Sequence, residues 1–488
     1  MRPNLQGNLI SAERLTRLLT DYLREQGFSE PREKAHRLIQ QLRERNFILC
    51  YRGADTYGFV HRTFLEYFCA VEIVHRFEKQ QTLSFEQLRD EVFGQHWQDE
   101  TWHEVLLLIC GMTDAKFVGE LVEYLLSNAN CKTVNGFENI FMASECIAEI
   151  SNKLAIKKVS SHVLAQIKTL VEYGENSEID EVYGFWGNLR YGSYHKLINV
   201  PEKLHTIIFV RYSAIELVAK VWQDEELTLE WIKKQANSQA NWVAVCSAIQ
   251  QLSKRWKNDP ETFCIIKKLS CLDVNSAFSN VQETALVIIS ECWPDHPDTL
   301  SILKSVSVRN KNFRGRFQAL QGFRKLSLNS LSEGLFEFLA DRAKKDPFEP
   351  YHFSNRNPRQ SAIETIVECY PDHLHTRDLL IKIAVEDRDS RVRSFILSIL
   401  PVYWEEDTLL IDFLCNRALS DPYENGGLRR RNPRKYALES LLNHYPKHPK
   451  TLEILGERAV NDPDEQLRKW AQEQLNIQTE KSKREGQS

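Results

Sequence analysis

The densest charge in this chain lies in Leu428-Arg429-Arg430-Arg431-Asn432-Pro433-Arg434-Lys435. A weaker counterpart, His352-Phe353-Ser354-Asn355-Arg356-Asn357-Pro358-Arg359, places its Asn-Pro-Arg 75 residues earlier. Cations grouped this way can neutralise a phosphate backbone or meet an acidic partner. On that chemistry Arg356, Arg359, Arg429, Arg430, Arg431, Arg434 and Lys435 are the candidate partner-binding residues. The plainer alternative is a solvated loop whose arginines pair with Asp or Glu of a neighbouring unit. Both readings stay open at this level.

Other chemistry is thinly represented. His373 and His375 form an H-x-H, and His444 and His448 lie four apart. Pro371, Pro446 and Pro449 break the helical geometry that would aim these rings at one ion, so no metal site is expected. The chain has no G-x-S-x-G and no H-E-x-x-H, and no carboxylate pair stands out. No catalytic role is expected, and Glu66 is expected to be a solvated or locally paired carboxylate.

Composition narrows the class. The 488 residues exceed what one compact core organises, so several units or an open array are expected. The net charge of −4 gives no overall pull toward nucleic acid or anionic membrane. Eleven cysteines, none in C-x-x-C, read as small buried hydrophobes in a reducing compartment. The apolar run near Val105–Met112 is far short of the ~20 residues a membrane span needs. MRPNLQGNLI lacks the apolar core of a signal peptide. The chain is expected to be cytoplasmic, with no membrane partner.

The elements that must position these residues fall into several blocks. In residues 1–78, Leu15, Leu18, Leu19, Tyr22 and Leu23 mark an amphipathic helix with Ser11 as N-cap and Gly27 past its end. Pro31 opens a second helix, to Arg45. Phe47–Tyr51, a turn at Arg52–Thr56, and Tyr57–His61 read as a β-hairpin. A helix follows from Thr63 to about Phe77, with Phe64, Tyr67, Phe68 and Val71 as expected core. Two helices, a hairpin and a closing helix are the parts of a winged-helix domain. Residues 79–171 read as a helical linker, and 172–204 as an irregular region rich in glycine and aromatics.

From 205 to 476 a pattern returns. Ala214-Ile215, Ala248-Ile249, Ala285-Leu286, Ala319-Leu320, Ala362-Ile363 and Ala437-Leu438 recur, with Phe395-Ile396 marking one more unit. Trp222, Trp256, Trp293, Tyr370, Tyr403 and Tyr445 keep the same phase. Such self-similarity predicts a solenoid whose units bury their apolar faces only against neighbours. In the unit at 437–459, Ala437, Leu438, Leu441 and Leu442 form one face and Pro446 ends the helix. Thr451 is expected to cap the next helix, whose face is Leu452, Leu455 and Ala459. Residues 477–488 are expected to be a disordered tail.

Two segments resemble a known family. Phe59-Val60-His61-Arg62-Thr63-Phe64-Leu65-Glu66-Tyr67-Phe68-Cys69-Ala70 is similar to the F-x-H-x-x-F-x-E-Y-F-x-A stretch ending the winged-helix domain of NACHT-type STAND NTPases. Trp102-His103-Glu104-Val105-Leu106-Leu107-Leu108 is similar to the W-x-E-V-L-L-L helix that follows it in bacterial members. The repeats resemble the HEAT-like units at the C-termini of cyanobacterial NACHT proteins. Asp387-Arg388-Asp389-Ser390-Arg391-Val392-Arg393 and Asp462-Pro463-Asp464-Glu465-Gln466-Leu467-Arg468 are similar to their D-x-D-x-x-V-R turn.

The resemblance implies a mainly α chain: a winged helix with one small β-hairpin, a helical linker and a HEAT-like solenoid that senses a protein ligand. It implies that His61 reaches the phosphates of bound ADP; the alternative is a histidine capping the helix after the hairpin. It also implies a role in bacterial signalling, in stress or antiphage defence. No G-x-x-x-x-G-K-[ST] occurs, so ADP or ATP is expected only through an NTPase domain outside this chain, and no cofactor within it. The chain is expected to be either part of a longer protein or a separate polypeptide that works with such a domain, encoded upstream.

Two other classes compete. One is a HEAT-like enzyme of the bilin lyase type, against which residues 1–110 argue. The other is nucleic-acid binding, by the solenoid or by the second helix. That helix holds Arg32, Lys34, Arg37, Arg43 and Arg45 but also Glu33 and Glu44, so its excess charge is modest.

Overall fold

The computed structural model describes residues 9–127, 137–173, 202–239, 241–272, 279–326, 332–348, 356–423 and 431–485. The irregular region expected over 172–204 lies almost entirely outside them. Over the described residues the protein is mainly helical with one small antiparallel sheet, and it divides into two compact units. Among the described residues no helix is long and apolar enough to cross a membrane.

The first unit takes in residues 1–178 and 198–235. Its opening helices are α1 (Ala12–Glu25) and α2 (Pro31–Glu44). Ser11 caps α1 by accepting from Arg14 N–H, Gly27 sits at φ +76, and Pro31 opens α2. The strands β2 (Leu49–Gly53) and β3 (Thr56–Phe59) form the expected hairpin. Ala54 and Asp55 both take positive φ, the mirror-image turn that suits strand twist. The sequence reading missed a third strand, β1 (Leu9–Ser11), which pairs with β3. Helix α3 (Arg62–Val74) follows.

The core of α3 differs from expectation. Its buried residues are Glu66 and Ala70, on the side packed against α4 (His103–Met112), while Tyr67 and Phe68 are exposed. Residues four apart share one helical face, so a face set by Glu66 and Ala70 turns positions 67 and 68 away. Glu66 accepts from Arg62 Nε at 2.7 Å. Burial pushes the Cys69 thiol up to about 11, so it stays protonated at neutral pH. Cys110, Cys146, Cys246 and Cys415 are buried as expected, whereas Cys264 and Cys271 are exposed.

Next come α5 (Ala115–Ser127), α6 (Glu138–Ala148), α7 (Lys157–Thr169), α8 (Glu202–Val221) and α9 (Glu226–Ala236). Helix α8 packs on α6 and α7. The Trp222 indole donates to Ser160 Oγ at 2.8 Å, and Lys153 Nζ donates to the Val221 carbonyl at 2.6 Å. These bonds place Ala214, Ile215 and Trp222 in the first unit. The array expected from 205 therefore begins after α9.

Among the described residues the second unit contains six helix hairpins and a closing helix. They are α10 (Trp242–Arg255) with α11 (Pro260–Ser270), α12 (Ser279–Cys292) with α13 (Pro297–Arg309), and α14 (Phe313–Gly322) with α15 (Glu333–Lys345). Then come α16 (Pro358–Cys369) with α17 (Thr376–Glu386), α18 (Ser390–Tyr403) with α19 (Thr408–Ser420), and α20 (Pro433–His444) with α21 (Pro449–Asn461). Helix α22 (Glu465–Glu485) closes the set. The first helices of successive hairpins pack on one another, and each second helix packs on the next hairpin. Ala248, Ala285, Ala319, Ala362 and Ala437 are fully buried where these helices meet, so small side chains set the close approach. Leu252, Leu320, Leu400 and Leu441 fill the space around them, each burial contributing roughly 1.5–3 kcal/mol.

Three local expectations are corrected. Thr451 does not cap α21: His448 is the N-cap, and the Thr451 hydroxyl donates to the Tyr445 carbonyl at 2.8 Å. Thr299 and Thr376 make the same bond to Trp293 and Tyr370. In these three hairpins the Thr thus ties the loop to the aromatic six residues before it. Leu452 is exposed, and the buried face of α21 is Thr451, Ile454, Leu455 and Arg458. The expected disordered tail is helical through Glu485, since glutamate, lysine, glutamine and arginine favour helix without needing a packed face.

Candidate functional site

His61 occupies the junction between β3 and α3. Its backbone is extended (φ −123, ψ 141) and its carbonyl accepts from Phe64 N–H, which makes it the N-cap residue of α3. Its side chain makes no capping bond, and the residue is exposed. The ring therefore stands at the helix N-terminus without serving that terminus. The N–H groups of a helix's first turn favour an anion, and an imidazole beside them adds a donor. The neighbouring Arg62 is engaged inward, to Glu66 and to the Thr101 carbonyl at 3.0 Å. Beside the junction, exposed Val60, Tyr67 and Phe68 give an apolar flank.

The arginines of the second unit tell a different story. Arg434 Nε and Nη2 donate to both oxygens of Asp462 at 2.8 and 2.9 Å, and its Nη1 donates to the Asp421 and Tyr423 carbonyls. The two side chains are 4% and 0% exposed. Arg393 does the same to Asp421, and Arg316 to Asp346. Asp346, Asp421 and Asp462 are the C-cap residues of α15, α19 and α21. Each arginine thus pins the start of one helix to the end of its hairpin partner.

Arg359 is a looser version. It lies 3.4 Å from Asp387, the C-cap of α17, and 3.6 Å from Asp389. Burial pushes the Asp387 carboxyl up, opposed by Arg359. Cap residues link neighbouring hairpins as well. Asn357 Nδ2 donates to Asp389 and Asn432 Nδ2 to Asp464, each 32 residues onward.

Several of the expected partner-binding cations are engaged within the protein instead. Arg434 is buried in its pin, and Arg359 is spent on Asp387 and Asp389. Arg356 reaches back to the buried Glu283 of α12, which Arg314 also approaches at 2.7 Å. Lys435 lies 3.5 Å from Glu439 and over the Trp470 ring. Arg431 is exposed, its guanidinium 5.6 Å from the Tyr436 ring centre. Arg429 and Arg430 lie outside the described residues. The histidines serve the hairpins: His373 bonds Glu333 at 2.8 Å, and His444 approaches Glu405 at 3.7 Å.

No protein-family model matches this chain, and no curated protein matches its sequence. Among solved structures it is similar to the crystal structure of a Kap121p mutant, with a TM-score of 0.40 and 11% identity over 94% of this chain. The chain spans 48% of that one. At this similarity the functional reading rests on the residues of the chain itself.

One surface feature escaped the sequence reading. Val308, Val385, Leu419 and Val460 each stand two residues before the C-cap of the second helix in a hairpin, those caps being Asn310, Asp387, Asp421 and Asp462. All four are 42–70% exposed. In α15 the same position holds Lys344. Single exposed aliphatics are ordinary, but four at one phase of a repeat present a row. The signal was in the sequence as an aliphatic two places before four of the five Asp or Asn caps.

Proposed function

We propose that this chain is the non-catalytic sensing and regulatory part of a NACHT-type STAND signalling protein. Residues 1–78 act as the winged helix and the helical repeats take a protein ligand. An NTPase domain outside the chain holds ADP or ATP, and His61 reaches its phosphates; the chain holds no cofactor of its own. Ligand binding favours the open state by differential affinity. The signalling output in this reading is bacterial stress response or antiphage defence.

The row of Val308, Val385, Leu419 and Val460 carries the protein-binding part. Apolar side chains exposed at a fixed phase suit a protein partner's apolar groups, and the described arginines are largely spent on internal carboxylates. A benzophenone amino acid placed at Leu419 in the native host cell is expected to crosslink one discrete protein. Adding Val385→Asp and Val460→Asp should reduce that adduct at least about tenfold, since charge placed in a desolvated contact costs more than 1.4 kcal/mol. Nuclease-sensitive adducts would favour the nucleic-acid reading, and an adduct indifferent to both substitutions would remove the row from the interface.

A further inference from the structure

The first unit contains a cavity of about 700 Å³ that the regulatory reading does not use. Two helix faces build most of it. On α6, Glu138, Phe141, Met142 and Glu145 recur at i, i+3, i+4 and i+7. On α8, Phe209, Ser213, Glu216, Leu217 and Lys220 do the same at i, i+4, i+7, i+8 and i+11. The segment Trp97–Glu100 and His103 complete the lining.

The lining is both apolar and acidic. Trp97, Phe141, Phe209 and Leu217 offer ring and aliphatic surface, and the Phe141 and Phe209 centroids lie 6.4 Å apart. Phe209 is 51% exposed although it is a large aromatic. Against the five carboxylates Asp99, Glu100, Glu138, Glu145 and Glu216, the lining sets Lys220 and His103 in opposite charge, and Arg62 and His96 act on Asp99 from beside it. His103 Nε2 lies 2.8 Å from Glu145, and that bond raises its pKa above the ordinary histidine value. Asp99 is already bonded to Thr101. Glu100 and Glu216 thus supply charge beyond the local pairs.

We propose that this cavity binds a small aliphatic polyamine, with its alkyl segments on the aromatic walls and its ammonium groups on the carboxylates. The volume suits a small molecule, since pockets that enclose one run about 300–1,000 Å³. Aromatic faces attract ammonium groups, and methylene stems pack on the same rings. Charge-assisted bonds to two separated carboxylate groups favour a cation with separated charges over a single compact ion. The proposal is independent of His61 and of the repeats.

Spermidine titrated into the full chain by calorimetry at constant ionic strength is the test. One saturable site with a Kd below about 1 mM is expected, with a length-matched diol showing none. Glu216→Gln should weaken the site about tenfold, and Phe209→Ala about threefold. Both positions are partly exposed, so far-UV circular dichroism should be unchanged. Three results would overturn the proposal: no saturable site, binding equally displaced by Mg²⁺, or binding indifferent to both substitutions. Preference for an oligolysine peptide over spermidine would also overturn it, since the site would then be a protein contact.

Discussion

Arg393→Met is expected to destabilise the second unit by about 3–5 kcal/mol. Arg393 Nε and Nη2 bond both oxygens of Asp421 at 2.9 and 2.7 Å, and Nη1 bonds the Asp387 carbonyl at 2.7 Å. Asp421 has no exposed side-chain surface, so losing the guanidinium strands a carboxylate without water. Chain unfolding in urea, followed by circular dichroism, measures the loss. Amide exchange should rise first in α18, α19 and α20, because an array's stability is a sum of unit and neighbour terms.

The second substitution in this test separates two explanations. Arg393→Met with Asp421→Leu removes the stranded charge, and a buried pair replaced by apolar groups is often neutral. The double variant should recover most of the loss, short of about 1 kcal/mol for the unpaired Asp387 carbonyl. A double variant as unstable as the single one would show that Arg393 acts through packing and that the pin is incidental. Arg391→Met is the control. That arginine pairs within its own turn with Asp389 and lies over the Phe348 ring, and without it Asp389 keeps Arg359 and Asn357, so a smaller loss of about 1–2 kcal/mol is expected.

His61→Ala should speed ADP release from the assembled protein about tenfold to a hundredfold, once an NTPase core is supplied. A charge-assisted bond to phosphate contributes about 1.5–3 kcal/mol. Holding a switch 99:1 against its reverse takes about 5.5 kcal/mol, so on the proposed reading His61 would supply only part of such a lock. His61→Asn keeps an N–H donor and should recover part of the retention. The capping alternative makes a different forecast: Ala would cost helix stability, about 0.5–2 kcal/mol, and leave nucleotide untouched. The His61 side chain makes no cap bond, which weighs against the capping forecast. Unchanged nucleotide release with a lowered Tm would assign His61 to the helix alone.

Much of the fold was legible because its signals are local. Ser11, Gly27 and Pro31 mark helix ends by their own chemistry, and the alanine–aliphatic pairs repeat at one phase. β1 was not legible, because three residues cannot show an alternation. The array's start was misplaced because Ala214-Ile215 and Trp222 keep the repeat's phase, while the bonds to Ser160 and Lys153 that claim them come from far away in sequence. The candidate site suffered most from this distance. Arg356, Arg359 and Arg434 look like a cationic surface until their carboxylates appear, 28 to 73 residues away. The plainer reading of that loop, with arginines paired to acids of the repeats, is the one Arg356, Arg359 and Arg434 follow. The aliphatic row was overlooked for the opposite reason: Val308 or Val460 within a helix reads as core, and only exposure shows that it is not.

The proposed function turns on a nucleotide-binding domain acting with this chain. Sequencing the full transcript that encodes it is the most direct measurement. The expected result is an in-frame or adjoining coding region, upstream, with a G-x-x-x-x-G-K-[ST] loop. A transcript without any such NTPase would contradict the phosphate role of His61 and the signalling function built on it.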